Sequence, residues 1–219
     1  MANRRNILIG SGAAIVAAAS GTSLSLLLGA TAAQAQQIDQ AKLMAPAGNI
    51  PDRPLGNKDA KVTVIEYLSP SCPHCKVFAL DVFPQVKAEY IDTGKIQFIS
   101  RPFMRNVLDA VVFMLATAAG DEKYHDVIET FFKTQDQWLT SNAPNDALFA
   151  VAQQLGFTKE SYDAALTNQD LFAGLEAMQK QALDEFQLQG TPTFYVNGKK
   201  LTGENSFEAL KAEIDPLLG

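Results

Sequence analysis

The two cysteines of this 219-residue chain both fall in one run, Cys72-Pro73-His74-Cys75. Thiols three residues apart on a helix share a face and can close a disulfide, so the run is suited to thiol–disulfide exchange. Pro73 fits the first helical position, where its missing N–H loses nothing. Cys72 then sits where a helix opens, and the unpaired backbone donors and positive end of the macrodipole there favour a thiolate. Cys75 lies one turn deeper, which makes Cys72 the attacked sulfur and Cys75 the resolving one. His74 can donate a hydrogen bond, or a full charge when protonated, toward the Cys72 sulfur. Each pKa unit of thiolate stabilisation shifts the balance toward the reduced form by about 1.4 kcal/mol. With no cysteine left over for a structural staple, the pair is chemical rather than architectural.

Other uses of the pair fit poorly. A zinc site needs about four ligands, and the chain offers two cysteines and two histidines, His125 lying in a distant helix. Haem attachment needs a histidine directly after the second cysteine, where Lys76 stands. No metal and no cofactor is therefore expected. His125 reads as a solvated helix residue, and Trp138, Phe131 and Phe132 as packing. Phe103, Met104 and Phe113 are candidates for an apolar rim near the motif.

The elements that must position the motif follow from pattern. Residues 61–68 are rich in Val, Ile and Tyr and predict a strand running into it. Val77, Phe78, Leu80, Val82, Phe83 and Val86 recur at helical spacing, with Pro84 expected to bend or interrupt that helix. A second strand is predicted over 95–100, which gives a strand–helix–strand unit of the right length for a parallel crossover. From about 106 to 188 apolar residues fall at intervals of three and four and predict four or five helices: one holding Val107, Val111, Met114 and Leu115, one holding Val127, Ile128, Phe131 and Phe132, then 144–155, 159–166 and 170–186. Asn197-Gly198 predicts a hairpin between strands at 193–196 and 199–202. A closing helix is predicted with Asn205 as its cap and Glu208 as the reciprocal partner.

The ends bear on compartment. Arg4 and Arg5, an apolar stretch over 7–30 and the small-x-small run Ala33-Gln34-Ala35 predict an export signal over 1–35, cleaved after Ala35. The paired arginines resemble a twin-arginine signal, with general secretion and an uncleaved anchor as the alternatives. The formal charge of −6 becomes two units more negative once those arginines leave. An acidic chain argues against nucleic acid as partner. Residues 36–55, with Pro46, Pro51 and Pro54, predict a flexible lead-in too short to be a domain.

Strand, Cys-Pro-His-Cys, helix, strand, helical block, then Gly190-Thr191-Pro192 leading into a hairpin resembles the DsbA family of thioredoxin-like proteins. The resemblance implies an α/β thioredoxin fold, over 56–103 and 189–219, with an inserted all-helical domain over 104–188. It implies that Pro192 is cis and packs against the active-site disulfide, and that Thr191 pairs with substrate backbone. An X-Pro bond is independently the accessible route to a cis peptide, and an extended residue beside it can receive a peptide as an added strand. Glu66 alternates with Val62 and Val64 and stands six residues before Cys72, where such families place a buried acid; a carboxyl there can move protons to and from Cys75.

The expected function is that of a periplasmic protein-disulfide oxidoreductase, a dithiol oxidase of exported proteins acting as a monomer. The resemblance implies reoxidation by a quinone-linked membrane partner. An isomerase or reductase on the same scaffold is the alternative, and a copper carrier or folding assistant comes third, since apart from His74 no methionine or histidine adjoins the pair.

Overall fold

The computed structural model describes residues 38–203 and 205–219 of the chain; the expected export signal and its cleavage site lie outside the described residues. Helix α1 (Gln40–Leu43) and strand β1 (Pro54–Gly56) precede the predicted crossover, whose strands are β2 (Val62–Leu68) and β3 (Ile96–Pro102). These two pair in parallel, with Val64 opposite Phe98 and Glu66 opposite Ser100. Between them runs a continuous helical stretch: α2 (Pro73–Val77), a π turn (Phe78–Val82), α3 (Phe83–Val86) and a second π turn (Lys87–Ile91). Pro84 neither ends nor breaks it. Proline lacks an N–H and crowds the carbonyl one turn back, and the wider π turn just before it absorbs both defects.

Helices α4 (Val107–Ala118), α5 (Tyr124–Lys133), α6 (Gln135–Leu139), α7 (Pro144–Gln154), α8 (Lys159–Leu166) and α9 (Gln169–Asp184) all fall between β3 and β4 (Thr193–Val196), and β5 (Lys199–Lys200) and α10 (Phe207–Leu218) close the chain. The short α6 escapes a reading based on periodicity because five residues hold too little of a repeat. The sheet order is β1-β3-β2-β4-β5, with β1, β4 and β5 antiparallel to their neighbours. Asn197 and Gly198 take φ of 45° and 80°, the left-handed pair a tight hairpin needs.

Alternation along β2 divides the core. Val62 and Val64 join Ile96, Phe98, Phe194 and Val196 in a cluster sealed by Phe78, Val86 and Tyr90 and by Leu210 and Ile214 of α10. Ile65 and Tyr67 belong to a second cluster that runs through Phe186 and into the helices between β3 and β4. Burying each such side chain is worth about 1.5–3 kcal/mol, so both faces of the sheet are strongly held.

Two expectations need correcting. Asn205 does not cap the closing helix: Ser206 does, its Oγ accepting from Ala209 N–H at 3.2 Å. Asn205 instead donates from Nδ2 to the Pro192 carbonyl at 3.3 Å, so it holds the cis-proline turn. The segment read as a loose lead-in is packed, with Ile38, Leu43 and Ile50 buried. Arg101, fully buried, pairs with Asp52 through two hydrogen bonds of 2.8 and 2.6 Å and also donates to the Leu43 carbonyl. Gln181 accepts from Ala47 N–H at 2.8 Å. Gly48 lies so close to Gly174 that a Cβ there would stand 2.1 Å from the Gly174 carbonyl oxygen. All these anchors are far away in sequence, so local composition gives no sign of them.

Candidate active site

β2 delivers the chain to Ser69, Pro70 and Ser71, and Cys72 then adopts an extended backbone (φ −86°, ψ 120°) as the residue before α2, with Pro73 in its first turn. Both thiols are free and buried, Cys72 at 3% exposure and Cys75 at 0%. Across the cleft the Thr191–Pro192 peptide is cis, and the Cys72 thiol donates to the Thr191 carbonyl at 3.1 Å. The helix start and the cis-proline turn, 119 residues apart, thus meet at one sulfur.

The two sulfurs are tuned in opposite directions. Cys72 is brought down to about 5, chiefly by a hydrogen bond from the Cys75 thiol, against the opposing effect of burial; the Thr191 side chain and the backbone N–H groups of Cys75 and His74 add to it. Thr191 Oγ1 is buried with no hydrogen-bond partner. A thiolate is a stronger acceptor than a thiol, so the otherwise unpartnered hydroxyl favours the anion. Cys75 is pushed well above the ordinary thiol range, first by burial, then by its bond to Cys72 and by the charges of Glu66 and Cys72; Ser69 N–H, 3.5 Å from its sulfur, works the other way. His74 acts on Cys72 through its backbone N–H, and its side chain is exposed.

Glu66 is 3% exposed and raised to about 8, first by burial and then by the Cys72 charge. It lines a cavity of about 460 Å³ with Leu68, Phe78, Phe83, Phe113 and Phe132. A carboxyl so placed keeps its proton near neutral pH. His125 lines the same cavity and is not solvated as expected: it is half-buried, its Nε2 lies 3.0 Å from the Arg53 carbonyl, and burial lowers its pKa. Phe103, Met104 and Phe113 are buried instead of forming an exposed rim.

Four buried polar residues around the motif, Ser69, Ser71, Asp109 and Gln135, went unread in the sequence. Six polar or charged residues are buried among those described, Glu66, Ser69, Ser71, Arg101, Asp109 and Gln135. Ser69 and Ser71 lie in the loop before Cys72, and Asp109 and Gln135 reach that loop from α4 and α6. Asp109 did leave a signal, a lone acid within the apolar run of α4.

Fold and site together define a thioredoxin-like thiol–disulfide exchange centre with helices set between the third and fourth strands of its sheet. The pattern of the thioredoxin family matches residues 49–216, and the chain belongs to that family. Its relatives lie on the DsbA side. The chain is 37% identical over 168 residues to a Rickettsia bellii protein named as a protein-disulfide oxidoreductase, covering 75% of this chain and 63% of that one. It thus spans about three fifths of the length of the Rickettsia relatives it matches. It is 27% identical over 173 residues to disulfide bond formation protein D of Bacillus subtilis, covering 74% of each. The solved structure of alpha-DsbA1 from Wolbachia pipientis superposes with a TM-score of 0.74 at 25% identity, covering 83% of this chain and 96% of the other.

Proposed function

We propose that the protein is a dithiol oxidase that introduces disulfides into exported proteins in the periplasm. The observation that carries this reading is the depressed Cys72 sulfur, held at the opening of α2 by the Cys75 thiol, Thr191 and the helix N–H groups, while Cys75 is buried and raised. A substrate thiolate attacks Cys72 Sγ of the enzyme disulfide, the Cys72–Cys75 bond breaks, and Cys75 leaves with the electron pair. Because Cys75 ionises only well above neutral pH, it needs a proton at once, and protonated Glu66 is the group poised to give it. A second substrate thiolate then attacks the substrate sulfur of the mixed disulfide and expels Cys72 as a thiolate, a good leaving group for its low pKa. The substrate gains a disulfide, the enzyme ends as a dithiol, and the electron pair passes on to a quinone-linked membrane partner.

Thr191 and Pro192 receive the substrate backbone beside Cys72. Export by residues 1–35 delivers the chain, which acts as a monomer. Among the described residues no helix is long and apolar enough to cross a membrane. Denaturant unfolding of the oxidised and reduced forms tests the reading. The reduced form is expected to be the more stable, and greater stability of the oxidised form rejects the assignment. Refolding of a scrambled multi-disulfide protein separates oxidase from isomerase, since an oxidase alone corrects it poorly.

A further inference from the structure

Four hydrogen bonds converge on the carboxylate of Asp109, which has no exposed surface. Its Oδ1 accepts from Ser71 N–H at 2.7 Å. Its Oδ2 accepts from the Ser69 hydroxyl at 2.8 Å, the Ser71 hydroxyl at 3.1 Å and Arg105 N–H at 2.7 Å. Three of the four donors belong to the loop that ends at Cys72. Asn106 Nδ2 donates to Ser71 Oγ at 2.9 Å, and Gln135 Nε2 donates to the carbonyls of Pro70 at 2.7 Å and Cys72 at 3.1 Å. The loop is gripped by two helices that lie outside the crossover unit.

A buried carboxylate is costly unless its acceptors are filled, and packing alone would be served by an apolar residue, as at neighbouring Ala110, Val112 and Phe113. We propose that Asp109 is a positioning residue for the Cys72 sulfur: it fixes the 69–71 loop so that Sγ lies within reach of the His74 and Cys75 N–H groups and of Thr191. Hydrogen bonds weaken steeply with distance and angle, so small displacements of the loop remove those donors from the thiolate. The same loop aims Ser69 N–H at Cys75, so one carboxylate holds the register of both sulfurs.

The proposal rests on the exchange chemistry above, but its test does not depend on which substrate is oxidised. Asp109→Asn keeps the volume, removes the charge and sets an amide donor against a backbone donor, either Arg105 N–H or Ser71 N–H. The ultraviolet absorbance of the Cys72 thiolate, followed against pH in the reduced full-length protein, is expected to show the titration midpoint rising by about one pH unit. Merely deleting a nearby negative charge would lower the midpoint. A fall, or no movement, overturns the proposal.

Ser71→Ala deletes one hydroxyl donor and keeps the Ser71 N–H bond; a smaller rise in the same direction is expected. If Asp109→Asn does not fold, an unmoved midpoint in Ser71→Ala overturns the proposal by itself. Val86→Ala, in the apolar cluster sealed by α10, controls for general loosening. An equal rise there would assign the effect to lost stability and end the positioning role. Should the oxidised form prove the more stable while the Asp109→Asn midpoint still rises, the oxidase reading fails and the positioning role stands.

Discussion

Cys72 and Cys75 lie one helical turn apart, yet their surroundings have opposite effects. At the mouth of α2 the sulfur meets N–H donors, a threonine side chain and a thiol, and is brought down to about 5. One turn further in, the sulfur meets burial and the negative charges of Glu66 and Cys72, and is pushed up. Burial is present at both sites, so burial alone does not decide the protonation state. The donors decide it: Cys72 receives the Cys75 thiol, the Thr191 side chain and two helix N–H groups, whereas Cys75 receives only Ser69 N–H among the groups that lower it.

The largest test of this contrast is chemical. In the reduced protein at pH 6, Cys72 is mostly thiolate and Cys75 almost wholly thiol. The lower intrinsic nucleophilicity of a low-pKa sulfur offsets part of that difference, which leaves Cys72 alkylated faster by iodoacetamide by a factor on the order of 10². Peptide mass mapping reads the ratio directly, and comparable labelling of the two sulfurs would break the comparison.

Next in size is Glu66, which sharpens it. Its folded pKa stands near 8 against an ordinary 4.5, so between those values the folded state binds more protons than the unfolded state, and stability falls as pH rises. In the oxidised protein no thiolate accompanies it, so a loss on the order of 2 kcal/mol between pH 5 and 7 is expected, and Glu66→Gln is expected to flatten the profile. Cys72 has the opposite sign. Its folded pKa near 5 lies below its ordinary value of 9.0, so its contribution to the reduced form grows as pH rises from about 5 toward 9 and is lost as pH falls through 5. The gap in stability between reduced and oxidised forms therefore widens with pH across this window. Urea unfolding of both redox forms at three pH values measures both slopes, and a gap that narrows contradicts the assignment of donors to Cys72.

Features legible in the sequence were those written in short range. The crossover strands, the Asn197-Gly198 hairpin and the placement of Cys72 before Pro73 each follow from residues a few positions apart. The cis bond at Thr191–Pro192 came through the family resemblance. What local pattern could not show was long-range polar contact: Asp109 looked like one acid in an apolar helix, Gln135 fell in a helix too short for periodicity, and Arg101 gave no sign that it pins the lead-in through Asp52. His74 shows the complementary case. Its position between the cysteines suggested an imidazole acting on sulfur, whereas extended backbone at Cys72 followed by helix brings the His74 N–H to that sulfur and leaves the ring outside.

Thr191 offers the finest test because its hydroxyl distinguishes the two protonation states of one atom. Oγ1 is buried without a hydrogen-bond partner, a penalty borne by the folded protein, and a Cys72 thiolate is a stronger acceptor for it than the thiol. Thr191→Val removes the hydroxyl with little change of shape and leaves the Thr191 carbonyl contact at 3.1 Å available. The variant is expected to raise the Cys72 midpoint by about one pH unit, to destabilise the reduced form at pH 7 by about 1 kcal/mol, and to leave the oxidised form unchanged or slightly more stable. A substitution that merely loosened packing would weaken both redox forms alike. Equal loss in the two forms would therefore remove Thr191 from the set of groups that separate Cys72 from Cys75, and leave the Cys75 thiol and the helix opening as the sources of the contrast.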